Sequence, residues 1–473
     1  MLKPALILML GFVLTGCAVG PRHQIPPTPV AATFALAQTT PFTTAEPESR
    51  WWALFGDPVL DDLVDRAIRG NRDVKMAAAR LNEARALRRE SLWAFAPQGG
   101  VSGTFQRRQF AGIETAGLHL PSRVWNTWSA GFDATWELDL FGRLRNSAEA
   151  AAAGVGAAHA QLRDLQVALL AEVAANYFNL QGARETITLL NRQNALLEQN
   201  LRTIVHRVAA GRGTPLDKAR AEGLLKETEA MVPLVQREEG EALHRLAVLL
   251  GEQPGAFRIL VAPREIPLSV REIAVGTPAD LLRRRPDIAA AERHLAAANA
   301  RVGMRTAEMF PEVSISGFVR LIGGDNLSLG STASQAWGLA PTAAWHVLSL
   351  GRLDALRRAS QFEAEGMVAF YEQTVLRALE DMENGMLRYR SAEDRLRLLV
   401  ERQAAAERAL RIARSQYEAG ASDSLEANDT ERTALAAARE MVSAATEHRL
   451  AVVALYKALG GGWTDQPLLS SRP

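Results

Sequence analysis

Cys17 is the one residue of this 473-residue chain whose type and setting point to covalent chemistry. It is the only cysteine, so no internal disulfide can form. It follows Lys3 and the apolar run Pro4 to Leu14, the layout of a signal peptide that ends at a small residue before a cysteine. A thiol in that place reads as a lipid attachment point. The remaining groups that could do chemistry are dispersed. The eight histidines are scattered, and no Gly-rich phosphate loop, zinc-ligand spacing or nucleophile elbow occurs. The expectation is therefore no enzyme, no metal site, and no cofactor beyond a covalent lipid on Cys17.

Leu14-Thr15-Gly16-Cys17 resembles the bacterial lipobox, in which the cysteine becomes the acylated first residue of the mature protein. A plain secretory signal with an incidental cysteine is the competing reading. Ala18 stands where an aspartate often signals retention at the inner membrane, so the resemblance points outward, to the outer membrane. The segment is too short for a good membrane span. Residues 1–16 are thus expected as signal peptide. Residues 17–50, rich in Pro, Thr and Ala, are expected as a lipidated extended tether. The formal charge of +1 gives no sign of a nucleic-acid partner, and 48% hydrophobic content is that of a folded protein.

What must be positioned becomes visible in a duplication. Asp73, Leu81 and Pro97 recur as Asp287, Leu295 and Pro311, 214 residues on. Trp128, Trp136, Arg143, Gly211 and Gly251 recur as Trp337, Trp345, Arg352, Gly420 and Gly460, 209 residues on. Two copies of one structural unit are expected, over residues 51–260 and 261–473.

Each copy carries a strand hairpin. Between Trp125 and Leu140 the even positions are apolar (Trp128, Ala130, Phe132, Ala134, Trp136, Leu138) and the odd ones mostly polar (Thr127, Ser129, Asp133, Thr135, Glu137). That is period two over a membrane-spanning length. The copy keeps it, with Trp337, Leu339, Ala343 and Trp345 on one face, and the preceding strands alternate likewise at Val101 and Phe105 and at Val313, Ile315, Val319 and Leu321. Strands are predicted at about 99–113, 125–140, 312–323 and 335–348. A soluble four-stranded sandwich fits one such hairpin better than two flanked only by long helices. Four strands cannot close a transmembrane barrel, because open edges in lipid leave backbone groups unsatisfied. Two chains would supply eight strands and a filled interior; three would supply twelve and a lumen, which polar inward residues favour.

Each copy also carries a helical hairpin, predicted at about 144–208 with 214–250 and at about 352–418 with 424–459, after a shorter helix at about 58–95 or 278–310. Ile187, Leu190, Asn194, Leu197, Leu201, Ile204 and Val208 follow coiled-coil spacing, and Leu396, Leu399, Gln403, Ala406, Leu410, Ala413 and Tyr417 repeat it. The paired amides Asn194 and Gln403 fit a register-setting role. The hairpins turn at Gly211-Arg212-Gly213-Thr214-Pro215 and Gly420-Ala421-Ser422-Asp423-Ser424. A dimeric coiled-coil rod would account for the helices but not for the strands.

Trp51-Trp52-x-x-Phe55-x-Asp57-Pro58-x-Leu60 with Asn71, Asp139-Leu140-Phe141-Gly142-Arg143, Leu282 to Ile288, Phe310-Pro311 and Trp345 together resemble the TolC-like outer membrane factors, in their lipoprotein, NodT-type branch. The resemblance covers nearly the whole mature chain. It implies a mixed fold of α-helix and membrane β: four strands per chain in a 12-stranded trimeric barrel, above a long periplasmic α-helical barrel. It further implies a homotrimer in outer-membrane lipid that docks a periplasmic adaptor and an inner-membrane pump of RND type and exports small toxic compounds or drugs.

In that family, acidic residues after the second helical turn ring the periplasmic mouth. Glu426 and Asp429 fall on those positions, with Asp423 nearby, and Tyr417 matches a tyrosine that latches the closed mouth. The helix turns at Gly211, Gly213, Gly420 and Ser422 are the expected adaptor contacts. Ser422 and Pro215 stand where some relatives carry an arginine and an acid, which implies a different polar latch. An ordinary solvated helix face is the plain alternative for Glu426 and Asp429. A type I secretion channel and a passive porin-like lipoprotein are the alternative functions.

Overall fold

A computed structural model describes residues 19–37, 39, 41–115, 117, 122–259, 273–324, 331–419, 421–422 and 424–463. In chain order the elements are β1 (Phe42–Thr43), α1 (Pro58–Gly70), α2 (Arg72–Trp93), β2 (Gln98–Gln109), β3 (Val124–Leu138), α3 (Arg143–Ala209) and α4 (Pro215–Leu250). Then follow β4 (Ile273–Ala274), α5 (Pro278–Arg284), α6 (Pro286–Ala307), β5 (Glu312–Gly324), β6 (Gln335–Ala344), α7 (Leu350–Glu418) and α8 (Ser424–Ala458). The described residues fall into two compact units, and each unit draws on both halves of the sequence. One takes its members from Met1–Pro27, Arg80–His159 and Ala290–Glu372; the other from Thr28–Ala79, Ala160–Ala289 and Gln373–Pro473.

The first unit holds an antiparallel sheet in the order β2-β3-β5-β6. Strand β2 stops at Gln109, short of the expected 113, and β6 stops at Ala344, because 3-10 turns at Gly112–Thr115 and Val347–Ser349 follow. The motif Asp139 to Arg143 is the elbow from β3 into α3. Asp139 accepts hydrogen bonds from the backbone N–H of Leu144 (3.0 Å) and Arg145 (2.9 Å), which satisfies donors that a helix N-terminus otherwise leaves open. Gly142 supplies the left-handed turn at φ 84. Arg143 reaches back to Glu137, and that hydrogen bond holds its guanidinium above the ordinary arginine range. Phe141 stacks on Phe310 at 4.8 Å.

The duplication extends to contacts. Trp136 donates its indole N–H to the Phe95 carbonyl (2.9 Å), and Trp345 donates to Met309 (3.1 Å), so each copy ties its second strand to the end of the helix before its hairpin. In the second unit the helices predicted at 58–95 and 278–310 are each broken in two. Asn71 breaks the first: it accepts from the N–H groups of Asp73 and Val74 and donates to the Leu249 carbonyl at the end of α4 (2.9 Å). Arg285 breaks the second and donates to the Ala458 carbonyl at the end of α8 (3.1 Å). Burial disfavours the Arg285 charge, but bonds to Asp287 and Asp381 outweigh it and hold the guanidinium above its usual range. Gly70 and Gly251 meet backbone to backbone; a Cβ on Gly70 would lie 2.2 Å from the Leu250 carbonyl oxygen.

The core of the second unit is aromatic at one end. Trp51 stacks on Tyr456 at 5.6 Å, and Tyr177 donates to Asp57 (2.5 Å) and accepts from Gln181 (2.9 Å). Burial, with the Glu48 charge beside it, pushes the Tyr456 phenol up to about 12. Tyr389 packs on Phe42 and His448; burial raises its phenol and lowers the His448 imidazole.

The stretch expected as a free extended tether is packed chain where it is described. Val19 donates its N–H to the Phe141 carbonyl, and His23 lies between Glu292 (2.7 Å) and Asn299 (3.3 Å) in the first unit. Phe34, Ala37 and Phe42 are buried in the second, where β1 pairs in parallel with β4. Burying a side chain such as Phe34 or Phe42 stabilises by about 1.5–3 kcal/mol, which composition rich in Pro and Thr conceals.

Candidate functional site

Two places carry the functional reading: the sheet and the turns at which the long helices α3 and α7 end. In the sheet, register decides which residues share a face. Phe105 opposes Trp128, Val101 opposes Phe132, Phe132 opposes Val319 and Val319 opposes Trp337. Trp136 opposes Ile315, and Gly317 opposes Leu339. The four alternating patterns therefore coincide on one apolar face, as cross-strand neighbours must. Its members are open in the single chain: Val101 is 86% exposed, Trp337 78% and Leu339 70%. Trp125 at the start of β3, and Trp345 and Leu348 after β6, are exposed too.

The opposite face pairs Ser102 with Gly131, Thr104 with Ser129 and Gln106 with Thr127. Hydrogen bonds cross it between Thr135 and Ser316 (3.1 Å) and between Ser314 and Thr342 (2.9 Å). Strands β2 and β6 are the outer strands, each paired on one side only among the described residues. No helix among the described residues is long and apolar enough to cross a membrane.

At the other site, α3 and α7 run for 67 and 69 residues, about 100 Å each at ~1.5 Å per residue. Gly211 ends α3 in the left-handed conformation (φ 69), with Arg212 N–H returning to the Arg207 carbonyl. A Cβ on Gly213 would press on Val208 at 3.1 Å. Thr214 and Asp217 then form a reciprocal capping box with Pro215 in the first turn, which starts α4. Tyr417 lies under the Arg207 guanidinium, 4.5 Å from ring centroid to charge, so it joins the ends of the two long helices. Glu426 and Asp429 are exposed on the first turns of α8. Ser422 has a buried hydroxyl without a partner. Gly420, Asp423 and Cys17 lie outside the described residues.

The seam residues Leu190, Leu197, Ile204, Leu396 and Ala413 are buried as their spacing predicts. The bonds of the two amides give the register-setting expectation no support. Gln403 donates to Glu407 in its own helix, and the Asn194 carbonyl oxygen is buried without a donor. The polar contacts fall at neighbouring positions that spacing did not single out: Gln193 on Glu431, Asn200 on Asn428 and Arg414 on Glu431. Among the described residues no group of three His, Cys, Asp or Glu side chains could hold a metal ion.

A membrane-type sheet joined to helices of this length defines an outer-membrane channel protein, and comparison with known proteins agrees. The profile of the outer membrane efflux protein family matches residues 63–252 and 277–461, once in each half. The chain belongs to that family. It is 30% identical to the outer membrane protein OprJ of Pseudomonas aeruginosa over 98% of both chains, and 29% identical to the cation efflux system protein CusC of Escherichia coli over 96% of this chain and 97% of CusC. Among solved structures it superposes on the outer-membrane channel OprN with a TM-score of 0.88 at 37% identity, covering 94% of this chain and 100% of that one. The open state of the Neisseria gonorrhoeae MtrE channel gives 0.81 at 27% identity, covering 94% and 98%. The fold is TolC-like, and the chain is an outer-membrane efflux protein of a family of transport channels.

Proposed function

We propose that three copies of this chain form the exit duct of a tripartite efflux system. The observation that carries it is the four-stranded sheet with one apolar face, one polar face and two outer edges that are unpaired among the described residues. Unpaired edges are not tolerated in lipid, and three chains bring twelve strands, enough for closure around a lumen lined by Thr104, Ser129, Thr135 and Ser316. The helices α3, α4, α7 and α8 continue the duct through the periplasm, where a periplasmic adaptor meets the turns at Gly211, Gly213, Gly420 and Ser422 and hands on the cargo of an RND-type pump. Cys17 carries the lipid that fixes the chain to the outer membrane, and the protein performs no catalysis.

The cargo is set by the pump. Relatives at 28–29% identity over nearly the whole chain are named for antibiotic, toluene and cation efflux, so one channel architecture serves unlike compounds. Small toxic compounds or drugs are the class proposed here. At the mouth, Glu426, Asp429 and Asp423, three copies of each, concentrate negative charge and favour cations.

Deleting the gene tests this. Sensitivity to several unrelated toxic compounds should rise only in cells that retain a cognate pump and adaptor. Equal sensitisation in cells lacking them would favour a passive porin, and loss of a secreted protein would favour type I secretion.

A further inference from the structure

The apolar face of the sheet carries a cation at its outer end. The elbow into α3 lies at one end of β3, so the opposite end, where Gln109 of β2 meets Val124, faces the exterior. Along the apolar face Val101, Gly103 and Phe105 oppose Phe132, Ala130 and Trp128, and one further step brings Arg107 opposite Asn126. Phe105 and Trp128 are in ring contact at 4.2 Å, and both are exposed. Trp136 stands eight residues after Trp128 at the elbow end of the same face. That spacing is about 27 Å of strand, or about 21 Å of height at a tilt of about 40°, close to the apolar band between the aromatic girdles of a membrane barrel. Arg107 therefore lies about 7 Å of strand beyond the outer girdle, at the level of lipid headgroups. Its neighbour Arg108, on the other face, pairs with Glu114 (2.7 Å) and covers the Phe110 ring. Arg107 is exposed and has no side-chain partner among the described residues.

We infer that Arg107 binds a phosphate of lipid A, the phosphorylated glycolipid of the outer leaflet, so that each chain holds one glycolipid against the pair of Phe105 and Trp128. The inference rests on the reading of the sheet as a barrel wall. A guanidinium placed there has hydrocarbon on one side and headgroups on the other, and a phosphate is the counter-ion that its fork of donors fits. The exposed side chains of Val101 and Phe132, nearer the elbow on the same face, give the acyl chains an apolar surface to lie on. Phosphatidylglycerol offers a phosphate as well, but it belongs to the inner leaflet, at the Trp136 end of the face.

Full-length protein in detergent is titrated with lipid A that carries both phosphates, and native mass spectrometry reads how many glycolipids each assembly retains. Wild type should retain the glycolipid, and Arg107→Gln should lower the apparent affinity about tenfold, the expected order for losing a charge-assisted hydrogen bond. Lipid A stripped of its phosphates should bind wild type and Arg107→Gln equally. Arg320→Gln removes a charge from the polar face, where Arg320 opposes Gly131, and should bind as wild type does. Wild-type affinity in Arg107→Gln, an equal loss in Arg320→Gln, or phosphatidylglycerol held as tightly as lipid A overturns the inference and leaves the barrel reading standing. Wild-type protein that retains no lipid and stays soluble without detergent removes the barrel reading itself. Should Arg107→Gln fail to assemble, Arg107→Lys keeps the charge and loses the paired donors; wild-type affinity there overturns the inference equally.

Discussion

His448 and Asn71 show how far single residues carry the account. His448 is buried between α7 and α8, its Nε2 lacks a partner, and burial followed by the Arg449 charge lowers its pKa. A histidine whose folded pKa lies below the unfolded value of about 6.5 binds protons preferentially when unfolded, so stability falls as pH drops through that value and is complete above it. Thermal melts of the assembled protein should therefore decline between about pH 7 and pH 5, with a slope of at most ~1.4 kcal/mol per pH unit from this residue. His448→Gln should flatten that decline; an unaltered slope would show that His448 does not cause it. Asn71 caps α2 and also holds the end of α4. Asn71→Ala should destabilise by about 1–3 kcal/mol in denaturant unfolding, and a change below ~0.5 kcal/mol would contradict the clamp. Neither residue is visible to periodicity. Asn71 was legible only as part of a family motif, and Glu431 was not legible at all, because burial of a charged residue on a helix depends on which neighbour approaches it.

At the scale of elements, strands and helices were read from different signals with different success. The period-two pattern at Trp128 to Leu138 located β3 and its apolar face, since register in a hairpin is bound to the side on which apolar residues lie. Strand ends were less legible: β2 and β6 stop where 3-10 turns form, and such turns depend on local hydrogen bonds rather than on polarity. The helices were overextended at Asn71 and Arg285, where an extended residue interrupts an otherwise helical composition. The coiled-coil spacing found Leu190 and Leu197 but misassigned the polar partners by one position at Gln193. Face assignment can be checked directly. Phe132→Lys on the apolar face should lower the yield of heat-stable oligomer, at about 2–4 kcal/mol for a cation in mid-bilayer, whereas Thr135→Lys on the polar face should leave it near wild type. Equal losses in both would mean that the faces are wrongly assigned.

For the whole molecule, the duplication explains why so much was legible. Each copy repeats the same contacts, with the same residue where Trp136 and Trp345 hold Phe95 and Met309, and with different residues where Asn71 and Arg285 hold Leu249 and Ala458. A repeated contact is displayed by the sequence only where the residue making it repeats as well. Assembly leaves a weaker trace, because the β2 and β6 edges show that partners are needed without saying how many. The central claim is that three chains close the barrel, and the most direct measurement is the mass of the purified full-length protein, released intact from lipid nanodiscs in a native mass spectrometer. The account predicts a single species of three chains, each bearing a lipid-sized increment on the fragment that begins at Cys17. Monomers, or a stable species of two chains, would contradict it.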